Sequence, residues 1–355
     1  MEANNNLKFL PPEAEIETIT ILKQLNKSSR ALAELKAYSE LIPNKDILIS
    51  SLALQEAKAS SEIENIVTTN DNLYKSIVTE KNIDPNTKEV LNYRKALWKG
   101  VDLVKESGFI STNIILEIQQ MLEDNKSGIR KIPGTALRNS LTGDVIYTPP
   151  SGESLIRDLL ANLEGYYNIE TEVDPLIKLA VSHYQFEAIH PFYDGNGRTG
   201  RILNILYLLK EELLDSPILY LSSYIIKNKQ SYYTLLNKVT TENNWEEWIL
   251  YILKAIEFTA KETLELAKGI KTLMDNTIAE VRGKLPKIYS KELIEFIFTE
   301  IYTKGSHLVE KGFANRKTVS KYLKSLEDID ILKSEKMGRE VIYINIHLFN
   351  LLRNK

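Results

Sequence analysis

The sequence predicts a mainly α-helical protein with one β-hairpin in its middle and a small C-terminal domain of helices followed by two strands. Leu48, Leu52 and Ala59 share one helical face in the first third of the chain. Residues 128–150 instead carry turn-forming residues around short β-branched and aromatic runs. Beyond Pro286, helical spacing again gives way to apolar residues in alternation. These changes of pattern define the predicted fold class.

The N-terminal region, residues 1–110, is predicted to be helical throughout. Neither glycine nor proline occurs between residues 44 and 82. A helical pattern resumes over 89–104 after the break at Asp84-Pro85, and a further helix is predicted over 112–125.

The middle region, residues 111–265, is predicted to form the core, with the hairpin at 134–150. The hairpin has a turn at 142–144 before its second strand. Asp174 is a good helix cap before Pro175, and the residues that follow are apolar on nearly every face, so a buried helix is predicted there.

The C-terminal third is predicted to hold a long helix over 245–275, a connecting segment over 266–285 and a separate domain over 286–355. In that domain Val319, Tyr322, Leu323 and Leu326 repeat at helical spacing after Asn315. Two strands around a turn at 337–339 follow. This order outlines a winged helix-turn-helix.

Composition narrows the class of protein. The 355 residues are 43% hydrophobic and 26% charged and include no cysteine, so disulfides and thiolate metal sites are excluded. No apolar run approaches the ~18 residues of a membrane span, and the N-terminus lacks the features of a secretory signal. We therefore expect a cytoplasmic protein with no membrane partner.

Charge is unevenly distributed along the chain. Residues 281–355 carry 15 lysines and arginines against 9 acidic residues, or +6, while the whole chain is −3 and the remainder is therefore −9. A basic segment of this kind can bind an anionic partner such as a nucleic acid. Charged residues more often form an ordinary solvated surface, however, so charge alone does not establish binding.

The segment from His190 to Arg201 is the strongest candidate site. Its sequence is His-Pro-Phe-Tyr-Asp-Gly-Asn-Gly-Arg-Thr-Gly-Arg. Imidazole is poised to accept a proton near neutral pH, and Asp194 is a ligand of the kind that Mg²⁺ prefers. Glycines at a helix N-terminus form an anion nest, which two arginines three residues apart can complete. The combination predicts a phosphate-handling site.

Two other phosphate motifs are excluded. Gly195, Gly197 and Gly200 match the spacing of a dinucleotide fingerprint, but that fingerprint follows a strand and here a helix precedes it. The chain also contains no Gly-x-x-x-x-Gly-Lys-Ser/Thr loop.

Residues 190–201 resemble the Fic motif, His-Pro-Phe-x-Asp-Gly-Asn-Gly-Arg-x-x-Arg, at every fixed position. The resemblance covers most of residues 50–260. It implies a helical Fic core that transfers AMP from ATP to a Ser, Thr or Tyr hydroxyl of a target protein or of the enzyme itself. It implies His190 as the general base and Asp194 as the ligand of Mg²⁺.

The resemblance also implies nucleotide and target contacts. Backbone amides of Gly195, Asn196 and Gly197 would cradle the α-phosphate, and Arg198 and Arg201 would bind the β- and γ-phosphates. Asn196 is further expected to tolerate a left-handed backbone and to offer its amide to an anion. The nucleotide-binding set is completed by Thr199, Gly200 and, as candidates for adenine, Tyr232 and Tyr233. The hairpin would dock an extended target segment through Ile146, Tyr147 and Thr148.

A second stretch, Ser60-Ser61-Glu62-Ile63-Glu64-Asn65, resembles the family's inhibitory motif. By that resemblance Ser60, Glu64 and Asn65 are inhibitory residues, and Glu64 pairs with Arg201 in place of the γ-phosphate. A subsidiary hypothesis is that Glu64 also orients water to remove AMP. The family further implies self-association, so a homodimer is a candidate assembly.

Two alternatives stay open. One is a related enzyme that transfers UMP, phosphocholine or phosphate. The other is a DNA-binding regulator with a nucleotide-sensing core, in which Arg316, Lys317, Lys321 and Lys324 face the nucleic acid. Winged helices also dock proteins, so either a protein or DNA is a candidate partner of this domain.

Overall fold

The structure is a computed structural model that describes residues 3–40, 45–79, 83–138, 145–338 and 340–353. It is mainly helical, as the sequence predicts. The elements, in chain order, are α1 (Ile19–Ser39), α2 (Lys45–Ile63), α3 (Asn70–Thr79), α4 (Pro85–Ser107), α5 (Thr112–Glu123), β1 (Leu137–Arg138), β2 (Val145–Tyr147), α6 (Glu153–Asn168), α7 (Pro175–Ile189), α8 (Asn196–Lys210), α9 (Ser222–Lys227), α10 (Lys229–Glu242), α11 (Trp245–Lys284), α12 (Lys291–Thr299), β3 (Tyr302–Lys304), α13 (Gly305–Glu310), α14 (Arg316–Glu327), β4 (Leu332–Met337), β5 (Glu340–Asn345) and α15 (Ile346–Arg353).

The described residues fall into two compact units rather than the four consecutive segments predicted. The first lies within 1–36, 53–67 and 89–261, and the second within 37–52, 68–88 and 262–355. Parts of the N-terminal third therefore cluster with the C-terminal domain. None of the helices in the described ranges has the length and hydropathy that a membrane span requires.

The core of the first unit is built around α7 and α8. Helix α7 packs against α6 and α8, and α5 packs on α8. Asp174 caps α7 by accepting a hydrogen bond from the Leu176 amide at 2.8 Å, and Pro175 occupies its first position. Because α7 and α8 are apolar on most faces, neighbouring helices cover them on several sides.

The predicted hairpin is present in the first unit. Strands β1 and β2 are antiparallel, with Leu137 opposite Tyr147 and Arg138 opposite Val145, and the register shifts between the two pairs. The predicted turn at 142–144 lies outside the described residues.

The second unit contains a three-stranded antiparallel sheet in the order β3-β5-β4. With α12 before β3 and with α13 and α14 between β3 and β4, the order of elements is that of a winged helix-turn-helix. Sequence patterns predicted two of these strands and missed β3, because a three-residue strand carries too little alternation to be recognised. The wing turn includes Gly338 at φ 59°, and Arg339 beside it lies outside the described residues.

One further finding concerns residues 266–285, which are predicted to form a connecting helix or linker. Helix α11 continues through Gly283 to Lys284, so nearly all of this segment is helix. Pro286 disfavours helical geometry in the residue before it, which explains why the helix ends there and not at the glycine.

Helix α3 belongs to the second unit through specific contacts. Tyr74 stacks on Tyr302 with ring centroids 5.4 Å apart, and Tyr302 donates its hydroxyl to Asp71 at 2.8 Å. Lys75 pairs with Glu335 of β4 at 2.7 Å. These contacts join residues more than 200 positions apart, which is why local patterns did not predict them.

Candidate active site

His190 lies where α7 ends, and its backbone is left-handed, with φ 48° and ψ 59°. Its N–H donates to the Phe186 carbonyl at 3.0 Å. A non-glycine residue rarely adopts this geometry, so the surrounding fold must hold it. The backbone of His190 is therefore held in a left-handed conformation at the C-terminal end of α7.

Arg130 supplies much of that support. Its Nε donates to the His190 carbonyl at 2.7 Å, and its Nη2 donates to the carbonyl of Ile189 at 3.2 Å and to that of Pro150. The side chain is almost fully buried. One guanidinium thus ties the hairpin's closing proline to the end of α7. The sequence did not predict this role of Arg130, because a single arginine in a turn-rich stretch belongs to no recognisable motif.

We expect Arg130→Ala to lower the free energy of unfolding by about 2–4 kcal/mol, because buried carbonyls would lose charge-assisted donors. Chemical denaturation measures the change. Arg157→Ala is the matched control: this arginine is 55% exposed and pairs with Glu153 on its own helix, so a loss within about 0.5 kcal/mol is expected. Equal losses in the two variants would contradict the assigned role.

The glycine loop forms the predicted nest, with one correction. Gly195 takes the left-handed conformation at φ 77° and caps α8, and its N–H donates to Asp194 Oδ1 at 2.7 Å. Asn196 is instead the first residue of α8, and its side-chain amide binds the backbone N–H and carbonyl of Phe192 at 2.8 and 2.9 Å. Asn196 therefore locks the loop and does not offer its side chain to an anion. The amides of the first turn of α8, which have no intrahelical acceptor, remain the anion-binding groups.

Arg201 is buried and bound to the predicted inhibitory stretch. Its Nε donates to Ser60 Oγ at 2.8 Å, and its Nη2 donates to the Ser60 carbonyl at 2.9 Å and to Glu64 Oε1 at 2.8 Å. A hydroxyl, a carbonyl and a carboxylate thus occupy the donors of the second arginine of the motif. The structure brings together the two residues that the resemblance paired.

Glu64 lies against the glycine nest. A Cβ built on Gly197 would come within 2.4 Å of Glu64 Oε1, so the carboxylate touches the backbone where an anion would bind. Burial acts to raise the pKa of Glu64, but the Arg201 guanidinium outweighs it and holds that pKa below its usual range. Asn65, the next residue, has φ 63°, which asparagine tolerates better than most residues. The carboxylate is thus ionised and pointed into the nest.

Helix α2 is anchored beside the site by a buried carboxylate that sequence analysis missed. Glu56 accepts hydrogen bonds from the hydroxyl of Tyr93 at 3.0 Å and from the backbone N–H of Ser222 at 3.1 Å. The signal that could have revealed this anchor is a four-residue spacing. It places Glu56, Ser60 and Glu64 on one side of the helix and of the turn that follows it.

Arg198 also reaches the site, but its donors are occupied by carboxylates. Nη1 pairs with Glu89 at 3.0 Å and Nη2 with Glu123 at 2.8 Å, and the arginine side chain is only 3% exposed. Glu123 Oε1 would lie 2.4 Å from a Cβ on Gly195, so this pair borders the nest. The expected β-phosphate contact of Arg198 stays a prediction, because a phosphate would have to displace these carboxylates, as it would displace Glu64 at Arg201.

Two further nucleotide candidates face the core. Thr199 is fully buried, and a Cβ on Gly200 would meet Glu187 Oε1 at 2.3 Å and the Phe186 ring at 3.0 Å. Gly200 therefore faces α7 and Thr199 is buried in the core, while their predicted role in nucleotide binding stays a prediction. Burial raises the pKa of the Glu187 carboxyl to about 7, with Arg201 opposing the shift.

The two tyrosines proposed for adenine differ. Tyr232 is 1% exposed, and its hydroxyl lies 2.9 Å from His183 Nε2, so its ring belongs to the core and the adenine prediction for it is corrected. Tyr233 is 36% exposed and remains the candidate.

The hairpin residues lie close to the end of α7. Tyr147 donates its hydroxyl to the Ala188 carbonyl at 2.8 Å, and Thr148 accepts from the Asn4 amide at 2.9 Å. Ile146 is 38% exposed. The Tyr147 hydrogen bond therefore attaches β2 to the end of α7. The side chain of Ile146 is exposed and could contact a bound segment.

His190 is held neutral. Burial and, to a smaller extent, the Arg130 guanidinium lower the pKa of His190 to about 4. The nearby Glu64 and Asp194 carboxylates oppose this shift only in part. His183 behaves alike, since burial lowers its pKa to about 3. A neutral imidazole is the form that accepts a proton.

We expect the imidazole NMR signals of His183 and His190 to stay unshifted between about pH 5.5 and pH 8. Unfolded histidine takes up a proton near pH 6.5, whereas these two resist it until about 3 and 4. The unfolded chain thus binds more protons in that window, and stability falls as pH drops from about 6.5 toward 4. His190→Asn assigns one signal, and an inflection of that signal near pH 6.5 would contradict the burial effect.

Asp194 is the candidate metal ligand. It is exposed at the loop, and among the described residues no group of three or more His, Asp or Glu side chains is arranged to hold an ion. Mg²⁺ is commonly bound by one or two carboxylates together with phosphate oxygens and water. A single exposed carboxylate at the edge of an anion nest fits that mode of binding.

Taken together, Asp194 and the first-turn amides of α8 belong to one glycine loop, Arg201 and Glu64 meet beside Gly197, and the neutral His190 imidazole interacts electrostatically with the Glu64 and Asp194 carboxylates. This arrangement can bind a phosphate chain and deprotonate a hydroxyl beside it. In the present conformation Glu64 holds the arginine.

Models of three known protein domains match this chain. The Fic/DOC family N-terminal domain matches residues 22–102, and the Fic/DOC family domain matches residues 109–208, which contain the nest. The C-terminal domain of SoFic-like protein adenylyltransferases matches residues 273–348.

Individual relatives are distant. Protein adenylyltransferase fic-1 of Caenorhabditis elegans is 26% identical over 185 residues, covering 52% of this chain and 34% of that protein. A probable protein adenylyltransferase of Aquifex aeolicus is 27% identical over 177 residues, covering 49% of this chain and 53% of its own length. The chain thus spans about a third to a half of these curated relatives. A crystal structure of a Fic family protein from Desulfovibrio desulfuricans G20 shares the fold, with a TM-score of 0.61 and 18% identity over 95% of this chain and 98% of that one.

Proposed function

The chain belongs to the Fic/DOC family, and on that premise we propose that it is a protein adenylyltransferase that transfers AMP from ATP to a Ser, Thr or Tyr hydroxyl of a target protein or of itself. The proposal is supported above all by the meeting of Arg201 and Glu64 beside Gly197, together with the electrostatic interaction of the His190 imidazole with the Glu64 and Asp194 carboxylates. The names of the relatives support the same donor and reaction.

In this reaction His190 accepts the proton of the target hydroxyl, and the hydroxyl oxygen attacks the α-phosphorus of ATP. The bond to the β-phosphate oxygen breaks, and pyrophosphate leaves. Amides at the start of α8 stabilise the charge that develops on the α-phosphate. Arg201 binds the terminal phosphate, and the pair of Arg198 with Glu123 holds the loop in shape.

Mg²⁺ would be held by Asp194 together with phosphate oxygens, and when bound it would neutralise charge on the triphosphate. The exposed segment around Ile146 would align the target beside His190 by main-chain hydrogen bonds. Tyr233 is the remaining candidate for contact with adenine.

We further propose that the enzyme is autoinhibited by Glu64. Its carboxylate accepts a hydrogen bond from Arg201 and lies against the backbone of Gly197. A bound phosphate oxygen would need both the Arg201 guanidinium and the space beside Gly197. Charge-assisted hydrogen bonds of this kind are strong enough to compete with a phosphate contact. Removal of AMP with Glu64 orienting water stays a prediction, as do self-association and a cytoplasmic location.

The donor test uses Glu64→Gly with Mg²⁺ and ATP labelled in either the α or the γ position. The proposal predicts transfer of the α label and none of the γ label. Unlabelled UTP or CDP-choline in excess should leave that transfer nearly unchanged. Transfer of the γ label would instead identify a phosphotransferase, and suppression by UTP or CDP-choline would favour the corresponding alternative donor.

A further inference from the structure

The exposed face of α14 carries a row of cations. Lys317, Lys321 and Lys324 lie at positions i, i+4 and i+7, and Arg316 begins the same helix. All four are exposed, whereas Val319, Leu323 and Leu326 bury the opposite face. The helix therefore presents a basic surface away from the core of its domain.

Ion pairing neutralises only one end of this row. Lys324 pairs with Glu327 at 3.1 Å and with Asp328 at 3.4 Å. Within the described ranges, Arg316, Lys317 and Lys321 form no ion pair. These three cations sit in the first half of α14, the part that enters a groove when a winged helix binds nucleic acid.

The helix is also built as the second helix of a helix-turn-helix. Asn315 caps it by accepting from the Thr318 amide at 3.0 Å, and α13 packs across it, with a Cβ on Gly305 reaching 3.7 Å from Val319. Its 12 residues extend about 18 Å, at about 1.5 Å per residue. The edge strand β4 adds the exposed Lys336, which lies on the same strand face as Ser334, whose hydroxyl donates to Glu327 of α14.

The chemistry of the face decides between a nucleic acid and a protein partner. Protein interfaces depend on buried aromatic or aliphatic anchors. Apart from its cations, α14 presents the exposed Ser320 and the partly exposed Thr318, Tyr322, Ser325 and Glu327, so hydroxyl groups that suit phosphate contacts predominate. Among the large exposed hydrophobic residues of the described chain, none lies on α14. The face is therefore complementary to a polyanion.

We propose that this basic surface, formed by Arg316, Lys317, Lys321 and Lys336, binds duplex DNA, with α14 in the major groove. The B-form major groove admits a helix, whereas the major groove of duplex RNA is too narrow and deep for side chains to read. This function is separate from adenylyl transfer and does not depend on it.

The test is fluorescence anisotropy of the full chain with a labelled DNA duplex of about two helical turns. If three phosphates are contacted, affinity should fall roughly fortyfold between about 50 mM and about 200 mM salt. Lys317→Glu/Lys321→Glu should weaken binding by about tenfold or more, since two attractive contacts become repulsive. Melting curves confirm that the variant is folded, and Lys317→Gln/Lys321→Gln provides a milder second variant with a smaller loss.

The matched control reverses two exposed lysines of the first unit, Lys23→Glu/Lys254→Glu, and should change affinity by less than about twofold. Three results would overturn the proposal: no binding at low salt, equal binding by wild type and the Lys317→Glu/Lys321→Glu variant, or equal affinity for duplex RNA of the same length. The first two would leave a protein as the partner of this face.

Discussion

Replacing Glu64 with glycine is expected to accelerate AMP transfer by about tenfold or more, because Arg201 loses a competing carboxylate. In the resting structure Arg201 donates to Glu64 and twice to Ser60. Removing the carboxylate frees one N–H of Arg201 Nη2, whose other donor stays on the Ser60 carbonyl, and clears the space beside Gly197. The rate of self-modification with labelled ATP measures the effect.

Two controls connect that increase to Arg201. The first control is Glu62→Gln: Glu62 lies two residues before Glu64, in the last turn of α2, and makes no ion pair within the described ranges, so the rate of this variant should match wild type. Glu64→Gln should raise the affinity for ATP more than that for ADP, because the γ-phosphate takes the place of the carboxylate. A Glu64→Gly rate equal to wild type, or equal gains in ATP and ADP affinity, would count against autoinhibition at this pair.

Loss of the His190 imidazole is expected to slow transfer by about 10²–10⁴-fold, the usual contribution of a positioned general base. Asparagine is the best replacement, because His190 has φ 48° and asparagine tolerates that backbone better than alanine. The variant should be compared in the Glu64→Gly background, where wild-type His190 gives a measurable rate.

The His190→Asn variant should still bind ATP, since Arg201 and the α8 amides are unchanged. Its melting temperature should stay close to that of the parent, which separates lost chemistry from lost structure. A variant that retained transfer within a few-fold of the parent would exclude His190 as the base.

Local signals predicted much of the fold. Asp174 and Pro175 mark the start of α7, and Asn315 marks the start of α14, because caps and first-turn prolines act within a few residues. The glycine loop was likewise found from its own sequence. Its internal details were not, since whether Gly195 or Asn196 takes the left-handed backbone depends on the hydrogen bonds of Asn196 to Phe192.

Long-range pairs escaped prediction for a physical reason. Arg130 binds carbonyls about 60 residues away, and Glu56 meets Ser222 across 166 positions. Nothing in the neighbouring sequence of either residue encodes its partner. The pairing of Glu64 with Arg201, 137 positions apart, was anticipated only through a family resemblance. The family resemblance did not predict the carboxylate partners of Arg198, because those partners are not part of the motif.

Intact-mass measurement of Glu64→Gly after incubation with ATP and Mg²⁺ tests the central assignment most directly. We predict a gain of one adenylyl group on the chain, absent when His190→Asn is added to the same variant. An unchanged mass in Glu64→Gly, or the same gain with and without the imidazole, would contradict the account.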